Sequence, residues 1–158
     1  MKLRERLNDL IPTLMKELVE IRKNGGNDTD AVRELETFRL IKSELSKYET
    51  LEPKARPKGD IDLFVLMALR SDMEKAIQAF RDSGREDLAS EHSIQLEIIE
   101  SFLPKIPADS EVKAEIMKWI SDKGIETPVK GKDFGELLRH LSSLWPASKN
   151  LSNLIKEV

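Results

Sequence analysis

Lys130, Lys132, Arg139, His140, Lys149 and Asn150 are the residues of this chain whose types and spacing suit chemistry with a polyanion. Cationic side chains near a helix start or a turn can neutralise phosphates and set the register of a nucleic-acid backbone, but they do not read sequence. The same spacing also suits a solvated helix face. Other combinations offer less. His92 and His140 are the two histidines, and His92 has no second strong ligand at i+3 or i+4. A zinc site needs three or four converging ligands, so no metal site is expected. Asp133-Phe134-Gly135 spells the magnesium-binding tripeptide of protein kinases. The glycine-rich loop, paired lysine and catalytic loop that this chemistry requires are missing. Gly131-Lys132 likewise lacks the rest of a phosphate-cradling loop. Gly135, inside a helical pattern, is expected to permit close approach of a neighbouring helix, at about 1 kcal/mol of propensity relative to Ala. Acidic pairs such as Glu86-Asp87 and Glu97 with Glu100 belong to helix faces, and no Ser, His and Asp are locally arranged for nucleophilic catalysis. No catalytic residue and no cofactor is expected.

The elements that must position these residues are helical. Charged residues make up 35% of the 158-residue chain and aromatics 5%, with seven each of Gly and Pro. That profile belongs to a helical protein and not to a strand-rich one. There is no cysteine, which removes disulfides, thiol catalysis and thiolate metal ligation. Charged residues follow Met1-Lys2-Leu3-Arg4 where a secretory leader would have an apolar run. No stretch approaches the roughly 20 apolar residues of a membrane span, so a soluble, cytoplasmic protein is expected. Net charge is −3. Residues 1–52 carry 10 basic and 11 acidic side chains, residues 53–104 carry 7 and 10, and residues 105–158 carry 9 and 8. Only the last segment has a positive balance, so it is the least unfavourable place for a polyanion.

Leu3, Leu7, Leu10, Ile11, Leu14, Leu18 and Ile21 trace one helical face, interrupted by Pro12, which either kinks the helix or separates its first turns. Asn24-Gly25-Gly26-Asn27 is a break, and Asp28 or Thr29 caps a second helix running towards Leu51. A polar loop over residues 52–59 leads to Asp60, the cap of a third helix. The stretch Arg70–Pro104 then reads as a helical hairpin hinged at Ser83-Gly84, with apolar Met73, Ala76, Ile77 and Phe80 on one arm. Leu88, Ile94, Ile98, Ile99, Phe102 and Leu103 line the other arm, which Pro104 ends. Lys105-Ile106-Pro107-Ala108 is a joint. Beyond it, Asp109 or Ser110 starts a fifth helix stopped by Gly124. A sixth carries Phe134, Leu137, Leu138, Leu141 and Leu144, and Ser148 caps a last one with Leu151, Leu154 and Ile155. The expectation is all-α, with a four-helix unit over residues 1–104 and a three-helix unit over residues 105–158.

Phe80-Arg81-Asp82-Ser83-Gly84-Arg85-Glu86-Asp87-Leu88, followed by Phe102-Leu103-Pro104, resembles the GatB/YqeY family. That family comprises the tail region of the B subunit of the tRNA-dependent amidotransferases and its freestanding relatives. Arg39-Leu40-Ile41-Lys42 and Asp133-Phe134-Gly135 extend the likeness, which covers nearly the whole chain. The resemblance implies a larger helical domain joined to a small three-helix tail. It also implies tRNA contacts in that tail, here through Lys130, Lys132, Arg139 and Lys149. A carbon–nitrogen ligase label with glutamine as amide donor attaches only through the family, whose chemistry is done in other domains. Two departures count against RNA contacts. Ser71-Asp72-Met73-Glu74 replaces the family's basic run, and Trp145-Pro146-Ala147-Ser148-Lys149-Asn150 replaces a glycine-containing turn. The missing basic run and the acidic hairpin favour the alternative, a protein-interaction adaptor that keeps the fold without the RNA surface.

Overall fold

The computed structural model describes residues 2–158. Among these it is all-helical, with seven α-helices and one 3₁₀ turn, Pro53–Ala55. The helices are α1 (Leu3–Lys23), α2 (Thr29–Glu49), α3 (Ile61–Asp82), α4 (Glu86–Ser101), α5 (Asp109–Lys123), α6 (Gly131–Leu144) and α7 (Leu151–Lys156). The chain divides into two compact units, one extending to Leu103 and the other Pro104–Val158.

In the first unit, α1 stays one element through Pro12, which lies on its exposed side. The Asn8 carbonyl deprived of its donor there can be met by water, which is why the helix is not broken. The apolar faces read from the periodicity meet in a core whose most enclosed members include Leu7, Ile41, Leu45, Val65 and Ile99. Phe38 and Phe102 add an edge-to-face pair at 5.7 Å and 81°. The α3–α4 hairpin is the most extensively packed pair of helices. Gly84 makes its turn with φ of 75°, a left-handed backbone that costs a side chain about 1 kcal/mol or more. Thr37 and Arg70 are the buried polar side chains of this unit, and the Thr37 hydroxyl is satisfied by donating to the Arg33 carbonyl at 2.8 Å.

Local signals at the helix starts fare unevenly. Asp60 caps α3 by accepting from the Asp62 and Leu63 amides at 2.9 and 3.3 Å, a contact worth about 1 kcal/mol. Asp28 is the residue before α2 but makes no such bond, because its carboxylate receives the Arg22 guanidinium at 2.8 Å. Asn27 does the work instead, accepting from both the amide and the hydroxyl of Thr29. Ser148 does not cap α7. It lies in a turn, its amide bonded to the Trp145 carbonyl at 3.1 Å, and Asn150 is the residue at the helix start.

The second unit closes around Val112, Ile116, Ile120, Val129, Leu137, Leu141, Leu151, Leu154 and Ile155. Trp119 and Trp145 pack against this cluster from outside. Asn150 donates to the Asp109 carboxylate at 2.8 Å and Lys113 pairs with Glu157 at 2.8 Å, which ties α7 alongside α5 in the same direction. Gly135 does not serve a close helix approach: a side-chain carbon there would meet no atom within 4 Å.

The joint is exposed at Lys105 and Ile106. Brief digestion with trypsin is expected to cut after Lys105 first, leaving two resistant fragments, as surface-exposed non-helical backbone is the usual site of nicking. A first cut inside α3 or α6 would count against this.

Candidate nucleic-acid interface

The structure places most of the cations singled out in the sequence along α6. Lys130 is the residue preceding the helix, exposed, and Lys132 follows in its first turn. Arg139 lies seven residues after Lys132, close to two full turns, so the two share an exposed edge while Leu137 and Leu141 face the core. Lys132 and Arg139 are therefore brought onto one side of α6, with Lys130 just before its start.

Lys149 is not brought to them. It stands in the turn beyond the opposite end of α6, beside Asn150, which is held by Asp109 of α5. The whole helix, about 21 Å long, lies between it and Lys130. His140 is also turned away from the cationic edge, its Nε2 at 3.0 Å from a Glu115 carboxylate oxygen of α5.

The charge on the α6 edge is partly screened. Glu136, between Lys132 and Arg139 on the same side, approaches the Lys132 ammonium at 3.7 Å. This is an i,i+4 pair on an exposed surface, worth a few tenths of a kcal/mol, and it yields readily to a competing phosphate. Among the described residues, neither Lys130 nor Arg139 has a carboxylate partner, and the Arg139 Nε donates only to the Gly135 carbonyl at 3.4 Å. Elsewhere in this unit two lysines are committed, while the exposed Lys118 and Lys156 have no carboxylate partner among the described residues. Lys113 is held by Glu157, whose hydrogen bond raises the lysine's pKa above its ordinary value, and Lys105 is held by Glu111 at 2.7 Å.

In the first unit, the two arms of the hairpin carry paired charges around the Gly84 turn. Arg85 grips Asp87 through two hydrogen bonds of 3.2 and 3.1 Å, and these hold the aspartate below the usual carboxylate range. His92 donates from Nδ1 to the Leu88 carbonyl at 2.9 Å, and its ring lies 4.9 Å from that of Phe80, tilted by 53°. Among the described residues no three His, Cys, Asp or Glu side chains converge as a metal-binding group. No helix of those residues is long and apolar enough to cross a membrane.

The arrangement on α6 can position a phosphate backbone. It offers point charges and one guanidinium on a rigid element, and no set of donors and acceptors that would read bases. Compared with known proteins, the chain matches the family described as Yqey-like protein over residues 14–158. No curated protein matches it.

Proposed function

The chain belongs to the YqeY-like family, and from that premise we propose that it works as a non-catalytic helical module associated with tRNA or with tRNA-dependent amidotransferase machinery. The observation that carries this reading is the α6 edge: Lys130 and Arg139 have no carboxylate partner among the described residues, and Lys132 has only a weak one. Phosphates arriving there would meet charge that the fold has not already neutralised. Lys130 and Lys132 also flank the positive end of the α6 dipole, which adds to the attraction for an anion. The roles assigned are positional. Lys130, Lys132 and Arg139 hold the backbone, and Lys149 contributes only where the bound RNA passes the far end of α6.

Filter binding of tRNA by the full chain tests the proposal. Replacing Lys130 and Lys132 together by Ala is expected to weaken binding by about tenfold, at roughly 0.7 kcal/mol per exposed charge. Helicity should be unchanged, because both side chains point to solvent. Undiminished binding by the double variant would remove this surface from the account.

A second reading, that of a protein-interaction adaptor, is supported by the first unit. Over its 16 residues α4 carries Glu86, Asp87, Glu91, Glu97 and Glu100 with no Lys or Arg, and although arginines outside the helix pair with the first three, Glu97 and Glu100 have no ion-pair partner among the described residues. The two readings concern different units and both can hold.

A further inference from the structure

At one edge of the first unit, α1, α2 and α4 enclose a groove of about 350 Å³. Its floor is apolar, made of Leu10, Phe38, Ile98 and Phe102. The two rings are fixed edge to face. The Arg6 guanidinium lies 4.8 Å above the Phe102 ring, so this charge is engaged with the ring face. Ile94 stands one turn before Ile98 on α4 and extends the apolar strip. Leu10 and Ile94 are each 37% exposed, although both sit on helices that have polar faces available.

The rim is acidic. Glu34 enters from α2 and Glu97 from α4. Three other carboxylates of α4 are balanced, Glu86 by Arg81, Asp87 by Arg85 and Glu91 by Arg33, while Glu100, outside the groove lining, has no ion-pair partner among the described residues. Glu34 and Glu97 have no ion-pair partner among the described residues. Two unneutralised carboxylates against the one Arg6 guanidinium leave the lining of this apolar floor with a net negative charge, which selects its occupant.

We infer that this groove docks a basic amphipathic helix of another protein. The partner inserts apolar side chains spaced i, i+4, i+7 between Leu10 and Ile98 and sets Lys or Arg on its flanks against Glu34 and Glu97. The inference rests on the adaptor reading and names its surface and the chemistry of its partner. RNA is disfavoured here by the same carboxylates. A second copy of this chain is disfavoured because a two-fold contact would bring the acidic rim against itself.

The probe is a fluorescein-labelled synthetic helix of about 16 residues, with leucines at i, i+4 and i+7 and lysines flanking them, titrated with the full chain. Anisotropy is expected to give a Kd on the order of 10 μM at low salt. Glu34→Gln with Glu97→Gln should weaken it about tenfold. Leu10→Asp, at a position already open to water, should abolish it while the far-ultraviolet circular dichroism stays unchanged. A peptide with glutamates in place of the lysines should not bind. Equal binding of the two peptides, unaltered binding by both variants, or no binding of the lysine peptide overturns the inference. A concentration-dependent dimer in sedimentation that Leu10→Asp dissolves also overturns it, assigning the groove to a second copy. Cross-linking in cells separates this from the broader reading. If the lysine peptide fails while a polypeptide cross-links to another face of the first unit, the groove is lost and the adaptor reading stands. If neither occurs, both fall.

Discussion

Leu137→Ala is expected to unfold the second unit while the first stays folded. Leu137 is fully buried in the nine-residue cluster of the Pro104–Val158 unit. A leucine-to-alanine change at such a site costs about 2–5 kcal/mol, from lost transfer energy and the cavity left behind. Folded units of this size are stable by only about 3–8 kcal/mol, so the variant is left near zero. The measurement is convenient because both tryptophans of the chain, Trp119 and Trp145, border this cluster and none lies in the first unit. Tryptophan fluorescence in a urea series therefore reports the second unit, while circular dichroism reports the helices of both. The fluorescence midpoint should fall steeply, and most of the helical signal should persist beyond it. Met117→Ala, at a residue 53% exposed, is the control and should move the midpoint little. An unmoved tryptophan transition in Leu137→Ala would show that the cluster does not hold the unit together.

Affinity for tRNA, on the proposed reading, should collapse with salt. Binding through side-chain charges releases counterions from the nucleic acid, giving about 0.9 log units per log unit of salt for each duplex phosphate neutralised. Contacts from Lys130, Lys132 and Arg139 alone predict a loss of roughly 40-fold between 50 and 200 mM salt, and a fourth from Lys149 predicts roughly 150-fold. Because Lys149 lies past the far end of α6, the smaller figure is expected for a short duplex. The larger one is expected only for an RNA long enough to pass both ends. Lys130→Ala with Lys132→Ala should flatten the slope by about two contacts. A slope near zero would leave no role for these cations.

What could be seen in the sequence follows from how local each feature is. Leu137 and Leu141, four residues apart, declare the buried side of α6, and Asp60 before an apolar run declares the start of α3. Both are matters of near neighbours along the chain. Ser148 and Asn150 offer equal capping chemistry two residues apart, and only the turn at Trp145, with Asp109 holding Asn150, decides between them. The separation of Lys149 from Lys130 depends on the path of a whole helix. For Gly135, the pattern announced a helix correctly, but whether a neighbour approaches is decided by packing. The acidic groove was the least visible feature. Leu10, Phe38, Ile98 and Phe102 come from three helices, and each looks in sequence like an ordinary core position. The one available hint was α4 itself, acidic throughout and still strongly apolar.

Phe102 and Leu103 are buried in the first unit, and Pro104 begins the second. During synthesis this order makes the closing of the first core a late, sharply timed event. Phe38 must wait for its ring partner until the last residues before the joint have left the ribosome, after which the unit lacks nothing from the nascent chain behind it. A stop codon in place of Phe102 would release a chain whose aromatic core cannot close. One placed just after Pro104 would release a complete first unit. The boundary of the fold thus doubles as a checkpoint for the chain as it is made.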